Sequence, residues 1–237
     1  MNEAPPIIKQ LPLFPLPSVL FPGGLLPLRI FEVRYLDMIK RCHRAKVPFG
    51  VVATMPSPWD TTPRPQFEES RVRREDDDDG IEGFAPETFH PIGTLAYIHQ
   101  VERPQPGVMM IRCTGGQRFQ IHACQQRRFG LWVADVALLD NDPTIPVPPD
   151  LIPSSETLQQ LVRSMEQQLD NIAQMPLALP YHWNDCGWLS NRWCELLPVD
   201  SEQKQRLMSL DNPLVRLELV SDMLDHMGLS HPTQPQS

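Results

Sequence analysis

Three things are scarce in this sequence, and each scarcity excludes a class of protein. No run approaches the roughly 20 apolar residues that a membrane-spanning helix needs. The opening MNEAPPIIKQ is too polar and too short to serve as a secretory apolar region. The five cysteines are an odd number with no CxxC pair. That usage fits reduced thiols in a cytoplasmic compartment and excludes a disulfide scaffold. Basic charge is also short, with 21 Lys and Arg against 29 Asp and Glu, a formal net charge of −8. A chain built to grip phosphate backbones carries a basic stripe, and none is visible. No GxxxxGK[ST] stretch is present either, so no P-loop lysine cradles a nucleotide phosphate.

The acidity is concentrated. Between Pro56 and Thr88 ten acids face four arginines, a local charge of −6, which leaves −2 for the rest of the chain. This stretch contains Asp76-Asp77-Asp78-Asp79 and reads as a solvated loop or insertion. Consecutive aspartates lack the alternating ligands and distant bidentate Glu of a calcium hand. Proline is abundant, at 27 residues, and clusters in Pro56–Pro65, Pro104–Pro106 and Pro143–Pro149, where it marks connections. The 237 residues suffice for one large domain or two small ones without covalent staples.

Periodicity divides the chain. Ile7 to Leu13 and Leu25 to Ile30 read as short strands interrupted by proline. From Val33 to about Ala45, Tyr35, Leu36, Ile39 and Cys42 recur at helical spacing. Arg34, Asp37, Lys40, Arg41 and Arg44 occupy the opposite face. Phe49 to Met55 reads as a buried strand. Pro91 to Arg103, Val108 to Cys113, Arg118 to Ala123 and Gly130 to Leu139 follow as strands, with PQPG as a turn and Gly115-Gly116 as a break or bulge. Successive strands of this kind make an antiparallel, barrel-like sheet. Asn141 to Asp150 is a linker. Leu158, Leu161, Val162, Met165, Leu169 and Ile172 then form a helical stripe. Further helices are expected from near Ser190, after an Asp200 cap with Gln203 reaching back, and after Asn212 with Pro213 in its first turn. The last ends at Gly228.

Several ordered motifs resemble the substrate-binding N-terminal domain of Lon proteases. They are Leu11-Pro12-Leu13, Phe21-Pro22-Gly23, Leu26-Pro27-Leu28-Arg29-Ile30-Phe31-Glu32, Arg34-Tyr35 and Phe49-Gly50-Val51-Val52. Ile92-Gly93-Thr94-Leu95-Ala96, Gly116-Gln117-Arg118-Phe119 and Trp188-Leu189-Ser190 continue the match, as do Glu195-Leu196-Leu197-Pro198 and Leu210-Asp211-Asn212-Pro213. The resemblance covers nearly everything but the acidic stretch. It implies an α+β fold: a PUA-like β pseudobarrel with one packed helix over residues 1–140, interrupted by the acidic 56–88, then a helical bundle over 151–229 and a polar tail over 230–237. It also implies a stand-alone, non-enzymatic module that engages unfolded polypeptide or a protein partner, as an adaptor or chaperone-like factor in protein quality control, without the ATPase and peptidase of the full protease. An RNA-binding PUA-like protein is the alternative, which the acidic balance disfavours.

Candidate chemistry is sparse. Cys42 and His43 are helix neighbours, so their side chains diverge by about 100°. His182, Cys186 and Cys194 are the nearest approach to a metal set, but zinc sites show close ligand pairs and four ligands in all. Trp183, Trp188 and Trp193 read as packing anchors. No catalytic residue, cofactor or metal is assigned. The candidate contact residues are Arg34, Asp37, Lys40, Arg41 and Arg44. Their face is either an ordinary solvated helix surface or, if the resemblance carries over, a partner-binding surface. Glu32 and Arg118 sit at matched motif positions and suit buried pairing.

Overall fold

The computed structural model describes residues 5–55, 88–169 and 175–229. The acidic stretch before Thr88, Ile172 of the helical stripe and the polar tail lie outside the described residues. Among the described residues six strands and five α-helices follow one another: β1 (Ile7–Leu16), β2 (Leu25–Ile30), α1 (Val33–Ala45), β3 (Phe49–Ala53), β4 (Ile92–Gln105), β5 (Val108–Gln126), β6 (Trp132–Leu138), α2 (Ile152–Gln168), α3 (Cys186–Leu196), α4 (Ser201–Met208) and α5 (Pro213–His226). The architecture is α+β, with the strands first and the helical run after them.

The strand order is β2-β5-β4-β3-β1-β6, and β5 also pairs with β6. Five strands therefore close into a barrel, and β2 is an added edge strand on the first half of β5. Among the described strands only β1 and β3 run parallel. β5 can serve both neighbours because it is 19 residues long. Gly115-Gly116 bulges this strand without breaking it: Thr94 faces Arg118 and Ala96 faces Gly115, so two residues oppose Leu95. A Cβ on Gly115 would lie 2.2 Å from the Phe21 carbonyl oxygen, so the close crossing of the Phe21 turn requires glycine there. β1 runs on past Leu13 to Leu16 despite Pro12 and Pro15, because it changes partner midway. Residues 7–12 pair with β6, and 13–16 pair with β3.

Leu11, Leu13, Val52, Leu95, Phe119 and Val136 fill one apolar cluster among the barrel strands. Tyr35, Leu36, Met38, Ile39 and Cys42 of α1 pack with Phe14, Phe49, Met109 and Ile111 in a second cluster. A third gathers α2–α5 around Leu158, Val162, Leu189, Trp193 and Leu217, and reaches Phe21 and Ile92 of the strand region. α3 begins at Cys186, four residues ahead of the expected start near Ser190. Asp185 caps it, accepting from the Trp188 amide at 2.6 Å. Gly187 in the first turn has poor helix propensity, and the capped first turn tolerates it. Asp200 caps α4 by accepting from Gln203 N at 2.7 Å, and Asn212 caps α5 with Pro213 in its first turn.

Three buried arginines join the helical run to the strands. Arg118 of β5 donates to the carbonyls of Met208 at 2.9 Å and Leu210 at 3.0 Å, at the end of α4. Arg216 of α5 donates to Leu207 O at 3.0 Å and grips both oxygens of Asp142, at 2.6 and 3.1 Å. These cations supply donors to carbonyls that a helix C-terminus leaves without intrahelical partners. Arg192 of α3 donates to Pro22 O at 2.6 Å and Gly23 O at 2.8 Å, and pairs with Glu195 at 3.0 Å. A Cβ on Gly24 would fall 2.1 Å from the Glu195 carboxylate. The Gly-Gly turn is thus shaped to receive an ion pair from α3.

Candidate functional site

α1 begins directly after β2, with Glu32 at the N-cap position in extended conformation. Its apolar face is buried, as the spacing of Tyr35, Leu36, Ile39 and Cys42 requires. The five polar residues on the expected contact face part company. Asp37, Lys40, Arg41 and Arg44 are exposed. Arg34 is buried, at 9% exposure. Its Nε donates to Glu32 Oε2 at 2.7 Å, its Nη1 donates to the Gly130 carbonyl at 3.0 Å, and its guanidinium lies 4.6 Å from the Tyr35 ring centroid. Arg34 therefore ties the first turn of α1 to the β5–β6 turn.

That turn has an unusual conformation. Phe129 has φ 65° and ψ 20°, and Gly130 follows at φ 76°. A phenylalanine in the left-handed region costs about 1–2 kcal/mol. The turn holds it there through Arg127 N to Leu131 O at 2.7 Å and Gly130 N to Arg127 O at 3.1 Å. Gln126 Nε2 adds a bond to Gly130 O at 3.4 Å. The ring is directed outward and is 83% exposed. Phe31 and Val33, flanking the N-cap, are 50% and 73% exposed. Two chain segments thus present large apolar side chains to solvent around the Arg34–Gly130 bond.

These three residues escaped the reading of the sequence. Phe31 and Val33 look like ordinary members of an apolar run. Phe129 sits in QQRRFG, where nothing local forces a positive φ on the residue before glycine.

The other candidates are placed as follows. His182 is exposed and stands 6.3 Å from the Trp188 ring, whereas Cys186 and Cys194 are buried. Burial pushes the Cys42 and Cys186 thiols up to about 11, and those of Cys113 and Cys194 up to about 12. Among the described residues no group of three or more His, Cys, Asp or Glu side chains is arranged to hold a metal. Trp193 is buried and donates to Ser154 O at 3.0 Å. Trp183 and Trp188 pack edge to face at 5.0 Å beside Tyr181. Glu32 pairs with Arg34, and Arg118 with Asp211 and, at 3.7 Å, Asp142. A cavity of about 250 Å³ lies where Pro22, Arg118, Asp142 and Trp188 meet. Among the described residues no helix is long and apolar enough to cross a membrane.

Two solved structures are similar to this chain over most of its length. A Lon N-terminal domain protein from Xanthomonas campestris is 27% identical, with a TM-score of 0.63 over 90% of this chain and 97% of that one. The N-terminal domain of a Mycobacterium avium complex Lon protease is 15% identical, with a TM-score of 0.56 over 92% of this chain and 98% of that one, and it shares the fold. A search of curated proteins found no match. The family model of the ATP-dependent protease La (LON) substrate-binding domain matches residues 10–226. With that match spanning most of its residues, the chain belongs to the LON substrate-binding domain family.

Proposed function

We propose that this protein is a non-enzymatic, cytoplasmic recognition module that binds unfolded polypeptide or a protein partner, as an adaptor in protein quality control. The observation that carries this reading is the exposure of Phe31, Val33 and Phe129 on two segments that the Arg34–Gly130 bond ties together, here called the apolar tip. Scattered exposed apolar residues are normal on any protein. A phenylalanine held outward in a costly conformation by several hydrogen bonds is different, because the chain gains no packing from it. Family membership supplies the independent support. Asp37, Lys40, Arg41 and Arg44 extend the surface down α1, and Arg34 positions the tip.

Four of the five cysteines, all but the exposed Cys124, are buried. Thiols raised to about 11 or 12 are almost entirely protonated at neutral pH, and the thiolate is the nucleophilic form.

The test is binding of a reduced, carboxymethylated protein, followed by fluorescence anisotropy. Burying Phe129 contributes about 2 kcal/mol, so Phe129→Ser should weaken binding roughly 30-fold. Val33→Ser should weaken it further. Wild-type affinity in the double variant, with an unchanged thermal midpoint, would remove the tip from the reading.

A further inference from the structure

We propose that the α1 surface selects acidic segments: an extended stretch of polypeptide that seats an apolar residue on the tip and places carboxylates along the helix. The inference rests on the polypeptide-binding reading and specifies its ligand.

The first observation is alignment. Val33, Asp37, Lys40 and Arg44 are spaced by four, three and four residues, so they fall in one line down the exposed side of α1. Arg41 flanks that line, and Lys46 stands at its end as the left-handed C-cap. The line begins at the apolar tip, because Val33 belongs to both.

The second observation is charge. Lys40, Arg41, Arg44 and Lys46 are exposed, and Asp37 is the acid interspersed with them. The chain as a whole is at −8, so a local excess of cations runs against its composition. Lys40 meets Asp37 at 3.4 Å, a loose contact between two half-exposed side chains. Among the described residues, Arg41, Arg44 and Lys46 form no ion pair with a carboxylate. Cations in a last helical turn complement the helix dipole, which accounts for Arg44. Lys40 and Arg41 lie ahead of that turn, so the dipole does not account for them.

The third is length. At 1.5 Å per residue, Lys40 lies about 10 Å from Val33 along the axis and Arg44 about 17 Å. An extended chain covers about 3.3 Å per residue. A segment anchored at the tip therefore brings its residues about three and about five positions away opposite Lys40 and Arg44. The chemistry expected of the ligand is an apolar anchor with Asp or Glu at those offsets.

The experiment uses the full chain and fluorescein-labelled peptides with one apolar core, carrying Glu, Gln or Lys at both offsets. Exposed ion pairs are each worth a few-fold, so the Glu peptide should bind roughly tenfold tighter than the Lys peptide, with Gln between. The difference should shrink between about 50 mM and about 500 mM salt. In Lys40→Glu/Arg44→Glu the order should invert, with the Lys peptide tighter, and the thermal midpoint should fall by only a few degrees, about the cost of acids near a helix C-terminus and beside Asp37. Equal affinities for the three peptides, all lost in Phe129→Ser, would overturn the acidic preference and leave the polypeptide-binding reading intact. Absence of binding by every peptide and by unfolded protein would overturn both. A preference for Glu that persists in the charge-reversed variant would place the selectivity elsewhere and refute the α1 assignment.

Discussion

Replacing Arg216 with methionine tests how the helical run is held to the strands. The Arg216 side chain is 1% exposed. Its Nη1 bonds Asp142 at 2.6 Å and Asn191 Oδ1 at 3.0 Å, and its Nε bonds Leu207 O at 3.0 Å. Its Nη2 bonds Asp142 at 3.1 Å and also the Leu210 carbonyl. Methionine keeps most of the volume and removes every donor. Asp142, with a side chain only 13% exposed, then loses its bidentate partner. Arg118, at 3.7 Å, compensates weakly. Breaking a buried pair from one side costs about 3–5 kcal/mol. In a chain of this size that lowers the thermal midpoint by roughly 6–20 °C. The assay is thermal and urea unfolding followed by circular dichroism, with Arg206→Ala as control. Arg206 pairs with Glu202 in the open, and its loss should change little. Arg216→Met/Asp142→Leu should recover part of the loss, because the orphaned carboxylate is gone. Peptide binding measured well below the new midpoint should be unchanged, since the tip lies on α1 and the β5–β6 turn. A loss below about 1 kcal/mol in the single variant would refute the claim that this arginine clamps the helices in place.

Other perturbations follow from the same geometry. Phe129→Gly relieves the left-handed strain at φ 65° and should raise stability by about 0.5–1 kcal/mol while weakening polypeptide binding; urea unfolding and anisotropy on one preparation check both. Burial pushes the Glu195 carboxyl up to about 7, against the pull of Arg192 and Lys204. The folded state then holds a proton that the unfolded state has released, so stability should fall as pH rises from about 4.5 to about 7 and level off above that, and Glu195→Gln should flatten that part of the curve. Gly115→Ala places a Cβ 2.2 Å from the backbone oxygen of Phe21, which cannot yield cheaply, and should cost about 1–3 kcal/mol or more in urea unfolding. Asn212→Ala removes the acceptor for Leu214 N and Val215 N and should cost about 1 kcal/mol by the same measurement.

The parts of the fold legible in the sequence are those where one residue's own chemistry decides. α1 spans the expected residues because its apolar spacing persists for three turns before a basic end. α4 and α5 are announced by Asp200 and by Asn212-Pro213, whose side chains cap the helices as their types suggest. The sequence leaves more open where a distant partner decides. Gly115-Gly116 reads as a break or a bulge, and pairing with β4 on both sides makes it a bulge that carries β5 through. Pro12 marks the end of a first strand expected to stop at Leu13, yet a change of partner between β6 and β3 lets β1 continue to Leu16. α3 starts at Cys186 and not near Ser190, because the cap at Asp185 outweighs the poor helix propensity of Gly187 in the first turn.

The candidate site shows the same limit more sharply, through its arginines. On the helical wheel Arg34 lies about 120° from Lys40 and about 80° from Arg44, at the border of the buried face beside Met38, a position that either face could claim. The Gly130 carbonyl decides between them. It comes from a turn 96 residues away and draws the Arg34 guanidinium inward. The same carbonyl fixes the turn that directs Phe129 to solvent. One long-range hydrogen bond therefore removes a cation from the exposed surface and supplies an aromatic ring in its place. This yields a specific expectation for Arg34→Lys. Lysine keeps the charge but cannot reach Glu32 and Gly130 through a planar fork. The variant should lose binding through a mobile tip while Lys40, Arg41 and Arg44 remain where they are. Amide exchange at Phe129 and Gly130 should rise in it, and exchange within the last turn of α1 should stay as in the wild type. Unchanged exchange at Phe129 together with full affinity would show that the turn holds itself, and that Arg34 is an ordinary buried cation.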